Sequence, residues 1–134
     1  MAGKWNIAPS GGELRFLAEA GIIYRDAKNF PAAHDVFLGI KSLVPGHELA
    51  EILLGTVEFQ QGNFEGARAH YQKALELNPR SAYAYVHLGE AYLFGKDKEK
   101  ARTSLKTAIT LDPLGEFGKL ARRLMELVDR VTFA

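Results

Sequence analysis

Apolar residues along the chain recur at the three- and four-residue steps that place them on one face of a helix. Between residues 82 and 111, Tyr85, Leu88 and Tyr92 form one such series, and Ala101 and Leu105 belong to a second. A short polar segment at 96–100 separates the two series. This pattern predicts two amphipathic helices joined by a turn.

Three residue types repeat along the chain at an interval of 34 residues. The repeated positions are Gly21, Gly55 and Gly89; Ala33, Ala67 and Ala101; and Pro45, Pro79 and Pro113. The interval divides the chain into three units, 14–47, 48–81 and 82–115, each with room for a pair of helices. The sequence therefore predicts an all-α array of repeats.

The residue types at the repeated positions suit a helix pair. Gly and Ala at inner positions allow two helices to cross closely, and each proline follows a second helix, which it cannot continue. Asn29, Asn63 and Asp97 precede the second helices, where a short side chain that carries oxygen caps a helix N-terminus. Ser81 is placed to cap the first helix of unit three in the same way.

The two ends of the chain lie outside the repeats. Residues 116–134 predict one more helix, which we expect to cap the apolar face that an array leaves bare at its end. Its apolar side carries Phe117, Leu120, Leu124, Leu127, Val128 and Val131. Residues 1–13, which include Pro9, Gly11 and Gly12, predict a mobile leader.

The order of the repeated residues resembles the tetratricopeptide repeat, which has the pattern L-G-x2-Y, then A-x3-F, then P. The resemblance covers residues 14 to about 115. It implies a right-handed α-solenoid of three units with a C-terminal capping helix, in which the first helices line a concave face. Unit two departs from the pattern at Glu51 and Glu58, where large apolar or aromatic residues are expected, and this leaves its local packing undetermined.

Composition and charge exclude several classes of function. Lys and Arg number 17 against 16 Asp and Glu, and a net charge of +1 argues against nucleic-acid binding through a broad basic face. No stretch is long and apolar enough for membrane insertion, and the first nine residues have no apolar signal core. We therefore expect a cytoplasmic location.

Catalytic and metal-binding motifs are also missing from the sequence. The chain has no Cys, no G-x-S-x-G elbow, no HExxH and no phosphate-binding loop. Its four His are not spaced to place two ligands on one helix face. We predict no enzymatic activity, no metal and no cofactor.

The resemblance also implies which residues face a ligand in the concave groove. Carried onto this sequence, they are Arg15, Ile22 and Arg25 in unit one, Leu49, Ile52, Thr56, Phe59 and Gln60 in unit two, and Tyr83, Val86, His87, Glu90 and Phe94 in unit three. This set predicts a largely apolar wall with a polar edge. It suits a partner segment with apolar anchors, and central aromatic residues are the expected hot spots.

One kind of ligand is excluded by the same comparison. Repeat domains that grip the C-terminal carboxylate of heat-shock chaperones use Lys, Asn and Arg at five fixed places. Here those places hold Ala18, Ile22, Leu53, Tyr83 and His87. A carboxylate would find no fixed cationic donors at these places, so we do not expect this kind of clamp.

These observations favour a non-enzymatic adaptor or chaperone that binds a partner's peptide segment. The chain also resembles, less closely, the class II chaperones of type III secretion, which hold apolar translocator segments. This resemblance rests on the length, the three units and the residue pattern at 29–37. Two alternatives remain: self-association into a homodimer or larger scaffold, and a groove filled by the leader through Trp5 and Ile7. Helical-repeat RNA recognition is disfavoured by the balanced charge.

Overall fold

The computed structural model describes residues 9–133, which form seven α-helices and no strand. The helices are α1 (Gly11–Asp26), α2 (Phe30–Leu43), α3 (Leu49–Gln60), α4 (Phe64–Leu77), α5 (Ala82–Phe94), α6 (Lys98–Leu111) and α7 (Glu116–Arg130). Each of the three sequence units contributes one consecutive pair, and the pairs α1–α2, α3–α4 and α5–α6 each pack together.

Each pair crosses closely at its repeated glycine. A Cβ atom added to Gly21 would overlap the Phe37 ring, and one added to Gly55 would overlap the Tyr71 ring. These rings are fully buried, as are Ala33, Ala67 and Ala101 one turn before the ring position. The close crossing that the sequence predicts therefore exists, and it depends on the absence of a side chain at these glycines.

The predicted helix ends are confirmed. Asn29, Asn63 and Asp97 each accept a hydrogen bond from a backbone N–H in the first turn of α2, α4 and α6. Ser81 accepts one from the N–H of Ala84 at 3.1 Å. The repeated prolines come two residues after the last residues of α2, α4 and α6.

The turn inside each pair uses a left-handed backbone conformation. Lys28 has φ 64°, Gly62 has φ 82° and Lys96 has φ 68°. These three positions are also separated by 34 residues. Only unit two supplies glycine, the residue that adopts this conformation without steric cost.

The arrangement of the pairs identifies the concave side. α1 contacts α3 and α3 contacts α5, whereas α2, α4 and α6 make no contact with one another. The helices on the inner side of a curved array lie closer together than those on its outer side. The first helices therefore line the concave face, here called the groove.

An ion-pair cluster resolves the packing of unit two. Glu51 is 4% exposed, and its carboxylate accepts from Lys41 Nζ at 2.8 Å and from His70 Nδ1 at 2.8 Å. Burial opposes its ionisation, but the hydrogen bonds from Lys41 and His70 outweigh burial and hold the pKa of Glu51 below its ordinary value. A buried polar group with partners replaces the apolar residue that the repeat pattern has at this place.

The last helix packs on the third pair. α7 contacts α6 and α5, and its Ala121 and Val128 are fully buried in one cluster with Leu93 and Leu105. None of the helices in the described residues is long and apolar enough to cross a membrane.

The predicted leader is too long at its C-terminal end. Residues 11–13, assigned to the leader, form the first turn of α1, because Ser10 caps that helix by accepting from the N–H of Glu13. Apart from Pro9 and Ser10, the rest of the predicted leader is residues 1–8, which include Trp5 and Ile7 and lie outside the described part of the chain.

Candidate functional site

A cavity of about 190 Å³ in the groove joins all three units, and we call it the polar cavity. Its lining residues are Arg25, Thr56, Phe59, Gln60, Tyr71, His87 and Glu90. Six of the seven belong to the groove set predicted from the sequence; Tyr71 does not. They come from α1, α3 and α5, whose inner faces carry the same repeat positions in successive units.

Arg25 is fixed at one wall of the polar cavity. Its Nη1 donates to Thr56 Oγ1 at 2.7 Å, and that hydroxyl donates to the Leu53 carbonyl at 2.6 Å. Its Nε donates to Asp26 Oδ1 at 3.0 Å. The side chain of Arg25 is 14% exposed, so a largely buried cation is held by the hydrogen bonds that it donates to α1 and α3.

A second contact between α1 and α3 secures this wall. Gln60 donates from Nε2 to Asp26 Oδ1 at 3.0 Å, across an interval of 34 residues. The hydrogen bonds from Gln60 and from Arg25 keep the pKa of Asp26 below its ordinary value, so Asp26 stays ionised as the common acceptor. The wall is therefore ordered before any ligand arrives.

The opposite wall is anionic and the floor is aromatic. The Glu90 carboxylate is 27% exposed and lies 3.4 Å from His87 Nδ1, without the geometry of a hydrogen bond. The hydroxyl of Tyr71 is buried and has no hydrogen-bond partner among the described residues. Burial, together with the nearby Glu90, raises the pKa of Tyr71, so the phenol stays protonated.

A second cavity of about 300 Å³, here called the apolar cavity, lies between the C-terminal ends of α5 and α7. It is lined by Leu93, Phe94, Leu127, Val131 and Phe133. Lys98 Nζ donates to the Val131 carbonyl at 2.8 Å and so fixes the backbone after α7. Every side chain of this lining is apolar, in contrast to the polar cavity.

An aromatic pair separates the two cavities. Phe59 lines the polar cavity, Phe94 lines the apolar cavity, and their ring centroids are 5.2 Å apart in an edge-to-face arrangement. Phe64 of α4 lies against both rings, at 5.2 and 6.0 Å. Phe94 remains 49% exposed. The two cavities are therefore neighbours on one surface.

Two predicted groove residues are wrong, because they belong to the core. Ile52 is fully buried in a cluster with Tyr71 and Ala84, and Val86 is 1% exposed in the cluster that contains Ala121 of α7. Their side chains point towards the next helix pair or the capping helix. A substitution such as Val86→Glu would disrupt this core, and its effect on binding would not report on the groove.

The remaining predicted residues lie outside both cavities. Tyr83 stacks on Phe117 of α7, with ring centroids 4.9 Å apart, and is half-buried. Ile22 and Leu49 pack partly against the core of units one and two. Arg15 is exposed and forms a salt bridge with Glu19. The predicted largely apolar wall with a polar edge is therefore replaced by one polar and one apolar cavity.

Five lining residues were not predicted: Tyr71, Leu93, Leu127, Val131 and Phe133. Tyr71 lies on a second helix, at the A-x3-F position where units one and three have Phe37 and Leu105, and its hydroxyl is the signal that distinguishes it. Leu127, Val131 and Phe133 were assigned to the capping helix and its end. The apolar side of that helix is wider than its contact with α5 and α6, and Leu127 is 40% exposed.

A third cavity, of about 310 Å³, lies between the start of α2 and the end of α3 and contains none of the predicted residues. It is lined by Phe30, Pro31, His34, Asp35, Val57, Glu58 and Gln61. In residues 9–133 no group of three or more His, Cys, Asp or Glu side chains is arranged to hold a metal ion.

Comparison with known families identifies the repeat. Residues 55–93 match a family model described as TPR repeat, and residues 82–113 match one described as tetratricopeptide repeat. The human Tetratricopeptide repeat protein 6 is 24% identical over 86% of this chain, and Superkiller protein 3 of Schizosaccharomyces pombe is 37% identical over 45%. The chain spans 22% and 4% of the lengths of these two relatives.

Solved structures share the fold at low sequence identity. The TPR domain of Sgt2 from Aspergillus fumigatus is 20% identical, with a TM-score of 0.78 over 96% of this chain and 83% of that one. The first TPR of Spaghetti (RPAP3), solved with an HSP90 peptide, is 18% identical, with a TM-score of 0.72 over 92% and 96%.

The type III secretion chaperone SycD of Yersinia enterocolitica is also similar. Its structure in complex with a peptide of the translocator YopD is 19% identical to this chain, with a TM-score of 0.71 over 90% and 95%. Together these comparisons confirm the predicted all-α tetratricopeptide-repeat solenoid and show that its fold is similar to that of a type III secretion chaperone.

Proposed function

We propose that this chain, whose fold is that of a tetratricopeptide-repeat solenoid, is a non-enzymatic adaptor or chaperone that binds a peptide segment of a partner protein in its groove. The observation that carries the proposal is the pair of adjoining cavities on the concave face. A segment that lies along the groove would contact both, because the cavities adjoin at the Phe59–Phe94 pair.

The apolar cavity fits the anchor residue of such a segment. Its lining of five apolar side chains gives a Leu, Ile or Phe side chain of the partner a place from which water is displaced. The exposed ring of Phe94 forms the entrance and is the expected hot spot. The peptide complexes of RPAP3 and SycD support this use of the fold.

The ligand differs from the carboxylate-terminated peptides for which a clamp is built. The places of that clamp hold Ala18 and Leu53, which are buried here, and Tyr83, which stacks on Phe117. An internal segment with an apolar anchor, of the kind that a secretion chaperone holds, agrees better with the lining. We extend the proposal to a cytoplasmic chaperone or adaptor of this kind.

Selection from a random peptide library displayed on phage, followed by affinity measurement on synthetic hits, tests the proposal. We expect enriched peptides to share an apolar anchor and to compete with one another. Phe94→Ser should weaken their binding about tenfold or more, because the entrance of the apolar cavity is lost. The fold should persist, since half of the Phe94 surface is already in solvent.

Leu114→Ser is the matched control. Leu114 is 85% exposed in the turn before α7 and lines neither cavity, so this substitution removes an exposed apolar side chain elsewhere. Its affinities should equal those of the unsubstituted chain. Equal losses in the two variants, or a selection that enriches no peptide, would contradict binding in the groove.

A second candidate function, self-association, is favoured by the exposed side of α1. Phe16 is 71% and Ile23 is 69% exposed. The equivalent residues of units two and three are buried against the preceding pair; they are Ala50, Val57, Ala84 and Ala91. A second copy that covers this side would double the solution mass measured by light scattering, whereas the peptide-binding proposal requires only a monomer.

A further inference from the structure

The polar cavity is lined by hydrogen-bond donors and acceptors, one of each charged, that have no hydrogen-bond partner among the described residues. Arg25 uses Nε and Nη1 in contacts with Asp26 and Thr56, and its Nη2 makes no hydrogen bond within residues 9–133. The carboxylate of Glu90 accepts no hydrogen bond from any described residue, and the Tyr71 hydroxyl below it is buried without a partner. Such groups gain most from a ligand that satisfies them.

We propose that this cavity binds the side-chain carboxamide of a Gln or Asn in the partner segment. The inference rests on the proposed function and deepens it, because it assigns a residue type to the second of the two cavities. The motif would then combine one carboxamide residue with one apolar anchor, on either side of the Phe59–Phe94 pair.

The charges of the lining select this occupant. A carboxylate would be attracted by Arg25 but repelled by Glu90 in the same small cavity. An ammonium group would be attracted by Glu90 but repelled by Arg25. A carboxamide is neutral and presents an acceptor beside two donors. Its carbonyl oxygen can accept from the guanidinium while its NH₂ group donates to the carboxylate.

The size and rigidity of the cavity agree with this choice. About 190 Å³ accommodates one side chain of the length of Gln or Asn but not a folded element. Thr56 and Asp26 hold Arg25 in place, so little side-chain freedom is lost when a ligand binds. A purely apolar side chain would leave the guanidinium and the carboxylate desolvated and unpaired, which opposes its binding.

Glu90 is the residue that excludes a carboxylate. Replacing it by Gln keeps the shape of the side chain and removes the negative charge from the wall opposite Arg25. Glu90 accepts no hydrogen bond from the described chain, and its contact with His87 Nδ1 is long, at 3.4 Å, so the fold should tolerate Glu90→Gln. The variant should therefore change specificity rather than stability.

A synthetic peptide array tests the inference. Each peptide has a fixed Leu as the anchor and, at a varied distance from it, one position occupied in turn by Gln, Asn, Glu, Lys or Leu; the other positions are mixtures of small residues. With the full-length chain as probe, we expect Gln and Asn to bind about tenfold better than Glu, Lys or Leu at the best spacing. Glu90→Gln should reverse the order of Gln and Glu.

The control is Glu76→Gln, which removes a glutamate exposed on α4 that lines neither cavity and should leave the preference unchanged. Binding without any preference at the varied position, or an unaltered preference in Glu90→Gln, would overturn the carboxamide assignment and leave peptide binding standing. An array on which no peptide binds would overturn the proposed function, and the assignment with it.

Discussion

Lys28, Gly62 and Lys96 occupy the same place in the three turns and all have positive φ. An L side chain in the left-handed region costs about 1 kcal/mol, which glycine avoids. The spacing of 34 residues, with Gly62 in the middle unit, is a signal in the sequence. It is easily missed, because the two lysines are ordinary turn residues.

Lys96→Gly should therefore stabilise the fold. We expect the free energy of unfolding to rise by about 0.5 kcal/mol, since relief of the backbone strain exceeds the added flexibility of the unfolded chain. Urea unfolding followed by circular dichroism measures the difference. Lys73→Gly, on the exposed side of α4, is the control, and its free energy of unfolding should fall by about 1 kcal/mol. A fall of similar size in Lys96→Gly would contradict backbone strain at Lys96.

The candidate site is also explained residue by residue. Six predicted residues meet in the polar cavity, because each helix register places the same repeat positions on the inner side. The prediction fails at Ile52 and Val86, because the fifth place of each unit points along the array into the next helices; Ala18, at the same place in unit one, is buried too. Tyr71 could not be found from first-helix positions alone.

At the scale of elements, the pattern predicts the helix pairs, their caps and the capping helix from local chemistry. It could not show how α3 accommodates Glu51, since the partners Lys41 and His70 lie on the helices before and after it. Such a cluster depends on three helices that meet only in the folded chain. Its charge makes the packing of α2, α3 and α4 dependent on pH.

The free energy of unfolding should fall as the solution is acidified, and this fall should be smaller in Glu51→Gln, which lacks the carboxylate. Because the pKa of Glu51 is lower in the folded chain than its ordinary 4.5, its contribution is complete above about pH 4.5 and is lost as pH falls through the folded value. We expect Glu51→Gln to be less stable by about 1–3 kcal/mol near neutral pH, with a gap that narrows below about pH 4.5.

Urea unfolding of both proteins across this range of pH provides the measurement. Glu76→Gln serves as the exposed control and should follow the unsubstituted chain at every pH. A gap between Glu51→Gln and the unsubstituted chain that stays constant down to about pH 3 would mean that the carboxylate contributes no charge-dependent stability.

At the scale of the whole molecule, the curvature of the helix array creates the proposed binding surface. The first helices approach one another and the second helices do not, so one side of the array is concave and gathers side chains from all three units. α7 adds Leu127 and Val131 to the end of this side, beside Phe94 of α5. The sequence predicts the concave face through the repeat, whereas its division into a polar and an apolar cavity emerges only from the packed helices.

Chemical-shift mapping tests the central claim most directly, with a selected peptide titrated into the ¹⁵N-labelled full-length chain. We predict that the largest amide shifts lie on the inner sides of α1, α3 and α5 and at the C-terminal end of α7. Shifts concentrated instead on α2, α4 and α6 would place the peptide on the outer surface and contradict binding in the groove.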